Sequence, residues 1–581
     1  MNDPEALPSL AQRVQAHLQC LYPAEDIDAL ATRCLEVFGV APDAPTPGPH
    51  RNNWGPGTAM LITYGDSVRR DGEAPLQTLT QFCRAHFAGM ISTVHVLPFF
   101  PYSSDDGFAV MDYTTVNPSL GQWEDLTELS RSFQVMTDLV INHCSSRSLW
   151  FENYKAGRDP GKRYFVEVSP DEDLSDVVRP RTSPLLRAVE TVGGERHVWC
   201  TFSHDQVDLD FANPDVLLEF LGIIKLYMDR GMRWFRLDAV AFLWKTIGTP
   251  CINLPETHEV IRLIRLLVEH RDPDAVIITE TNIPNQENLT YFGNANEAHM
   301  IYNFSLPPLL LHAMLSGNAQ HLKHWLMTMP PAQQGTAYLN FIASHDGIGL
   351  RPVEGLLTDD ERDRMIETLV QSGARITART GASGEVRPYE INISLWNAMA
   401  RTETSGENDG LQFARFICAH AIMMALEGMP AFYIHSLLAT ENDEARVEHT
   451  SQNRSINRHV WDADELDKLL ESDTHHRDVF KALRRLLAIR TRQGAFHPNA
   501  TQYTLHLGDG LFAFWRQSID RRQSIFAIHN ISGQAQVFNL SELNLIVTDQ
   551  WKDLVSGESF EDRMKPVTLE PYQFIWLSNR D

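Results

Sequence analysis

Three acidic residues of this chain stand directly after short β-type runs: Asp238 in RWFRLDAV, Glu280 in VIITETN and Asp346 in FIASHDG. Cleavage of a glycosidic bond with retention uses such a set. One carboxylate attacks, one carboxylic acid donates a proton, and the two lie about 5–5.5 Å apart around a covalent glycosyl-enzyme. Charges that close raise one of the two pKa values, which keeps the donor protonated near neutral pH. Arg236 precedes Asp238 by two residues and therefore shares its strand face, where a cation holds the nucleophile ionised. Taken singly, an acid after a strand is more often a helix cap or an ion-pair partner. Three at successive strand ends, one of them with an arginine beside it, make that reading weaker. Asn142 and His143 end a further run, DLVINH, on the same rim, although a single histidine is usually structural.

These residues need a scaffold that gathers strand ends. From Met60 onward β-type runs alternate with segments of helical period, the pattern of βα units around a parallel sheet. The expected strands are Met60–Tyr64, Thr93–Phe99, Val135–Ile141, Trp234–Leu237, Val276–Thr279, His299–Tyr302, Leu339–Ile342 and Ala431–Ile434. Eight is the number for a closed (β/α)8 barrel, whose C-terminal rim carries the chemistry. Residues 144–206 do not pattern as one crossover helix, which predicts an inserted subdomain over the barrel mouth. A second insertion is expected at 358–396, where a helical segment gives way to the polar run ARTGASGEVRP. Residues 1–57 read as short helices followed by a linker rich in proline and glycine. The barrel then comprises 58–143 and 207–496, and 497–581 reads as an antiparallel, sandwich-like β domain. The fold class is thus α/β, a barrel with insertions and a C-terminal β domain.

Composition narrows the function classes. The 581 residues are 43% hydrophobic and 22% charged, with a net charge of -25, which repels nucleic acids and anionic membranes. The seven cysteines are scattered without a CxxC pair, which fits a reducing compartment. The N-terminus lacks a basic segment followed by an apolar one, and the longest apolar stretch, Phe413 to Leu426, falls short of the roughly 20 residues a bilayer needs. A cytoplasmic protein, monomer or homodimer, acting on small molecules is expected.

The segments DLVINH, FRLDAV, IITETN and ASHDG resemble the four short regions of the α-amylase superfamily in order and spacing. The wording LITYGD, HVLPFFPYSSDDGFAVMDY, RPR, TFSHDQVDLD, FSLPPLLLHA, SHDGIGLRPVEGLL and SINRH is similar to the sucrose phosphorylase branch of glycoside hydrolase family 13, over roughly residues 58–581. The resemblance implies that Asp238 is the nucleophile, Glu280 the acid/base and Asp346 the stabiliser of the transition state. It implies donor-subsite contacts from Asp105, Phe108, His143, Phe202, Gln206, Arg236, His345 and Arg458, with Asp105 and Arg458 paired at the closed end. A plain structural salt bridge and ordinary core aromatics are the competing readings. No cofactor and no metal is implied, and inorganic phosphate enters as a co-substrate. Asn142 stands where amylases use a calcium ligand, but one asparagine makes no metal site.

A phosphorylase must present a cation to phosphate. By resemblance Arg181, with Arg179 beside it in VVRPRTSPLL, supplies that contact, and a guanidinium fork suits phosphate. Within the branch, ITETNIPNQENLTYFGNANEAHMIYNFSLPPL, RPYEINISLWNAM and the N-terminal extension look more like phosphorylases of glucosylglycerate and sucrose 6'-phosphate. Both acceptors are anionic, and Arg181, His345 and Arg351 are the candidate partners, although Arg351 has Glu354 nearby. The favoured donor is 2-O-α-glucosylglycerate, with sucrose 6'-phosphate, sucrose and glucosylglycerol as alternatives. A hydrolase or transglucosidase would keep all three carboxylates, whereas a non-catalytic binding relative would be expected to have lost one.

Overall fold

The computed structural model describes residues 8–48, 51–380, 386–406, 409–543, 545, 550–562 and 564–580. All eight expected runs form strands: β1 (Met60–Thr63), β2 (Thr93–Val96), β3 (Gln134–Leu139), β4 (Trp234–Leu237), β5 (Val276–Thr279), β6 (Met300–Tyr302), β7 (Ala337–Asn340) and β8 (Met429–Tyr433). Each pairs in parallel with its neighbours in the chain, and β8 returns to β1, so the sheet closes into a barrel. Seven of the eight are buried at every position, and β3 exposes only Gln134, because helices cover the outside and side chains fill the inside. The strands end earlier than several apolar runs suggest. Leu97, Phe99 and Phe100 are as buried as β2 itself but belong to the loop beyond it, with Pro98 interrupting the ladder.

Between β3 and β4 the chain leaves the barrel. His143–Ser145 pairs antiparallel with Gln206–Asp208, and Leu186–Thr191 forms a hairpin with Gly194–Trp199 over a small apolar cluster that includes Val168, Leu185 and Trp199. Between β7 and β8 the helix Asp359–Gln371 is capped by Thr358 and Glu361, and two strands, Arg375–Thr380 and Val386–Asn392, pair antiparallel after it. The polar run ARTGASGEVRP therefore has strands on both flanks. Most of their residues are polar, and Tyr389–Asn392 are buried in succession, so no apolar alternation marks the strands in the sequence. The tip of that run, residues 381–385, lies outside the described residues.

The N-terminal segment folds as two helices, α1 (Leu10–Leu21) and α2 (Ile27–Phe38), opened by Ser9 and Asp26 caps. They lie on the outer barrel helices α3 (Pro214–Asp229) and α4 (Pro255–Arg271), which flank β4. His17 meets Glu259 at 2.8 Å, Arg33 meets Asp215 at 3.0 Å, and Tyr22 donates to the Phe211 carbonyl at 2.9 Å. The C-terminal region has a five-stranded antiparallel sheet and a two-stranded one enclosing Phe526, Phe538, Trp551 and Leu577. Its first strand runs over Thr501–Leu505. The apolar stretch from Phe413 is helix Gln412–Ala425, packed inside the protein. Among the described residues no helix is long and apolar enough to cross a membrane.

Candidate active site

The rim chemistry begins inside the barrel. Register pairs Asp138 on β3 with Arg236 on β4, and both side chains turn inward. His95 on β2 contacts Asp138 at 2.7 Å, Asp138 accepts from Arg236, and Arg236 Nη1 donates to Asp238 Oδ1 at 2.7 Å. Arg236 is sealed, 2% exposed, with Phe108 and Tyr302 rings each 5.6 Å from its guanidinium. The cation expected beside Asp238 is thus in place, fixed from below by an ion pair that the strand-end reading left out. Charged residues within β-type runs were the available signal for it, since a barrel interior collects alternate residues of adjacent strands.

Asp238 ends β4, and the next residue, Ala239, adopts a left-handed backbone with φ 49°. That turn aims the Ala239 N–H at Glu280 Oε2, 3.0 Å away at the end of β5, so the two acids face one another across a strained residue. Arg236 Nη2 lies 3.8 Å from the same Glu280 oxygen. Burial pushes the carboxyls of both Asp238 and Glu280 upward; Arg236 opposes this for each, while negative neighbours add to it.

Asp346 follows β7 and behaves oppositely. Burial alone would raise its carboxyl, but Arg454, His345, Arg458 and Arg236 hold it far below the usual range. Arg454 Nη1 sits 2.5 Å from Asp346 Oδ1, and its Nε and Nη2 reach both oxygens of Glu390 at 2.9 and 3.0 Å. Neither Arg454 nor Glu390 was singled out from sequence. Arg458 is 2.6 Å from Asp106 and 4.0 Å from Asp105, so the expected Asp105–Arg458 pair is instead a tight contact to the neighbouring acid. Both aspartates have left-handed backbones, φ 54° and 46°, which sends Asp106 to the arginine and leaves Asp105 lining the pocket. Gly107 follows with φ 115°, where a Cβ would lie 2.7 Å from the Pro98 carbonyl, so only glycine completes this turn.

These groups surround a mouth of about 790 Å³ that opens to solvent. Phe108 stacks on His345 with centroids 5.1 Å apart, and burial drives His345 down to about 3, leaving it neutral. His143 contacts the Phe108 carbonyl at 3.0 Å and Gln206 at 3.2 Å, and its ring lies 5.2 Å from Phe202. From the inserted segment Arg181 enters the pocket between the rings of Phe202 and Tyr389, at 5.8 and 5.5 Å, with no acidic partner among the described residues. Arg351 also lines it. Glu354, its suspected partner, is taken at 2.6 Å by Arg379. Arg179 is not part of the lining: it donates to the Ser183 carbonyl, which turns it away from its neighbour in RPR. His345 Nδ1 and Asn282 Oδ1, on lining residues, are buried without hydrogen bonds among the described residues, which marks a place for a hydroxyl-rich ligand.

Asn142 sits behind this wall. Its amide donates to Asp208 at 3.0 Å and its oxygen accepts from Lys245 Nζ at 2.8 Å, while Lys245 is 2.7 Å from Asp208. Asn142 therefore faces an ammonium group. Among the described residues no group of three His, Cys, Asp or Glu is arranged around a metal.

A closed parallel barrel whose mouth gathers three carboxylates around a sealed arginine defines an enzyme of the α-amylase class. Residues 89–369 match the family described as "Alpha amylase, catalytic domain". The chain is 42% identical over 530 residues to a glucosylglycerate phosphorylase of Spirochaeta thermophila, covering 90% of this chain and 89% of that protein. It is 30% identical over 479 residues to a sucrose phosphorylase of Bifidobacterium adolescentis, covering 79% and 89%. The crystal structure of sucrose 6F-phosphate phosphorylase from Thermoanaerobacter thermosaccharolyticum shares the fold, with a TM-score of 0.71 at 24% identity over 82% of this chain and 93% of that one. The protein belongs to the sucrose phosphorylase branch of the α-amylase family.

Proposed function

We propose that the protein is a retaining phosphorylase of 2-O-α-glucosylglycerate, releasing D-glycerate and forming α-glucose 1-phosphate. The observation that carries this reading is Arg181: a guanidinium held by two rings in a pocket of carboxylates, with no acidic partner among the described residues. Such a cation suits an anion that enters and leaves. The identity to glucosylglycerate phosphorylases supports the choice of donor.

In the first half-reaction the Asp238 carboxylate attacks the anomeric carbon while the bond to the glycerate oxygen breaks. Glu280 gives its proton to that oxygen, and glycerate departs. Of the two raised carboxyls, Glu280 keeps the shared proton because Asp238 receives the direct Arg236 bond at 2.7 Å and Glu280 only the 3.8 Å approach. In the second half-reaction a phosphate oxygen attacks the same carbon, the ester to Asp238 breaks, and Glu280 takes up the phosphate proton. Two inversions give net retention. Asp346, ionised by its arginines, stabilises the oxocarbenium-like transition state and holds ring hydroxyls. His143, His345, Asp105 and Gln206 contact the glucosyl unit, and Phe108 and Phe202 wall it. Arg351 stands with Arg181 as a contact for the carboxylate of glycerate. No cofactor enters this scheme. A reducing, cytoplasmic setting fits seven unpaired cysteines, six of them buried.

The test is release of glucose 1-phosphate and of free glucose, with and without phosphate, from glucosylglycerate, sucrose, sucrose 6'-phosphate and glucosylglycerol. Preference for glucosylglycerate with strict phosphate dependence is expected. Free glucose formed regardless of phosphate would make the protein a hydrolase.

A further inference from the structure

We infer that Arg454 is a positioning residue whose guanidinium, braced by Glu390, fixes Asp346 and ties the hairpin bearing Tyr389 to the barrel rim. The inference rests on the proposed glucosyl transfer but concerns groups outside the reacting set.

Three separate elements meet at this side chain. Arg454 belongs to the short helical turn Asn453–Asn457 after β8, Asp346 to the loop after β7, and Glu390 to strand Val386–Asn392 of the hairpin. One guanidinium serves both acids at once, Nη1 toward Asp346 at 2.5 Å and the Nε/Nη2 edge bidentate to Glu390. A lysine has a single point charge and cannot reproduce two edges. Glu390 is 3% exposed, and Arg454 is its ionic partner in the described structure. Its Oε1 also accepts from the Gly347 N–H, one residue past Asp346. A Cβ on Gly347 would lie 2.5 Å from Glu390 Cγ, so the close approach of the two loops requires glycine there. Asn453 adds a link to Thr377 on the partner strand at 3.3 Å. The residue before Glu390 is Tyr389, the ring over which Arg181 sits. The ion pairs thus fix Asp346 on one side and, through the hairpin, the arginine assigned to phosphate on the other.

The charged groups around Asp346 set what its loss would do. Arg454, Arg458 and Arg236 favour the carboxylate, and His345 does so only in acid, once protonated; Asp238 and Glu280 repel it; the phenols of Tyr302 and Tyr433 lie near. Without Arg454 its nearest cation is gone, so Asp346 takes a proton at a higher pH than in the native protein.

Full-length Arg454→Gln, Arg454→Lys and Glu390→Gln would be assayed on glucosyl fluoride and on glucosylglycerate across pH, with thermal melts to confirm folding. Arg454→Gln should lower kcat about 100-fold, as expected when a reacting group is misplaced, and move the acid limb of kcat/KM to higher pH. Arg454→Lys should restore that limb but not the phosphate KM. Glu390→Gln should leave the limb in place and raise the phosphate KM. A folded Arg454→Gln that keeps the native kcat on glucosyl fluoride would overturn the inference. The limb measured by fluoride release remains readable even if no donor yields glucose 1-phosphate, so failure of the phosphorylase reading is distinguishable.

Discussion

Replacing Arg181 by methionine separates the two half-reactions. The guanidinium lies 5.8 Å from the Phe202 centroid and 5.5 Å from that of Tyr389, and methionine keeps apolar contact with both rings while removing the charge. A hydrogen bond to a charged group contributes about 1.5–3 kcal/mol, which corresponds to roughly a 10- to 150-fold fall in kcat/KM for phosphate. The attack by Asp238 on glucosyl fluoride does not use this contact, since phosphate enters only in the second half-reaction, after fluoride has left. Fluoride release should therefore persist, while the product shifts from glucose 1-phosphate toward free glucose as water competes for the intermediate. Arg181→Lys should fall between, retaining charge without the fork. The assay follows fluoride, glucose 1-phosphate and glucose in parallel over a phosphate titration. An unchanged phosphate KM in Arg181→Met would refute the assignment and return the residue to a packing role.

Other outcomes follow from the same geometry. Burial raises the Glu280 carboxyl, Arg236 opposes it and Asp346 adds to it; the donor must be protonated, so kcat/KM for the disaccharide falls as pH rises through that raised value. In Glu280→Gln this alkaline limb should vanish, and glucosyl fluoride, whose leaving group needs no proton, should retain more turnover than glucosylglycerate. Equal loss on both donors would remove Glu280 from the acid/base role. Lys245→Met strips the buried Asp208 of its ammonium, 2.7 Å away, and should cost about 3–5 kcal/mol in a denaturant titration; a midpoint like the native one would deny the pair a structural role. Asp106→Asn should lower the denaturation midpoint more than Asp105→Asn does, because the buried Arg458 is 2.6 Å from Asp106 and 4.0 Å from Asp105; the reverse order of midpoints would restore the Asp105 pairing.

The barrel was legible because its strands are short apolar runs that each end at a polar residue, and a closed sheet converts that local pattern into a shared rim. Asp238, Glu280 and Asp346 could be read for this reason, and Arg236 through the two-residue period of a strand. What sequence left unread depends on which distant group each side chain meets. Glu390 and Arg454 are 64 residues apart and meet only through a hairpin whose strands are too polar for their alternation to stand out. Asp105 and Asp106 are equivalent in the string SSDDGF until two left-handed residues decide which one turns to Arg458. Arg179 and Arg181 are likewise equivalent in RPR, yet one closes on the Ser183 carbonyl and the other enters the pocket. His95 and Asp138 read as members of strands, and their chemistry lies in the register that stacks them beneath Arg236.

The most direct test of the account is capture of the covalent intermediate. Glu280→Gln, given glucosyl fluoride without phosphate, should accumulate a protein one hexosyl unit heavier, with the label on the peptide containing Asp238. Adding phosphate should discharge it as α-glucose 1-phosphate faster than water discharges it as glucose. A label on another residue, or discharge that ignores phosphate, would contradict the account.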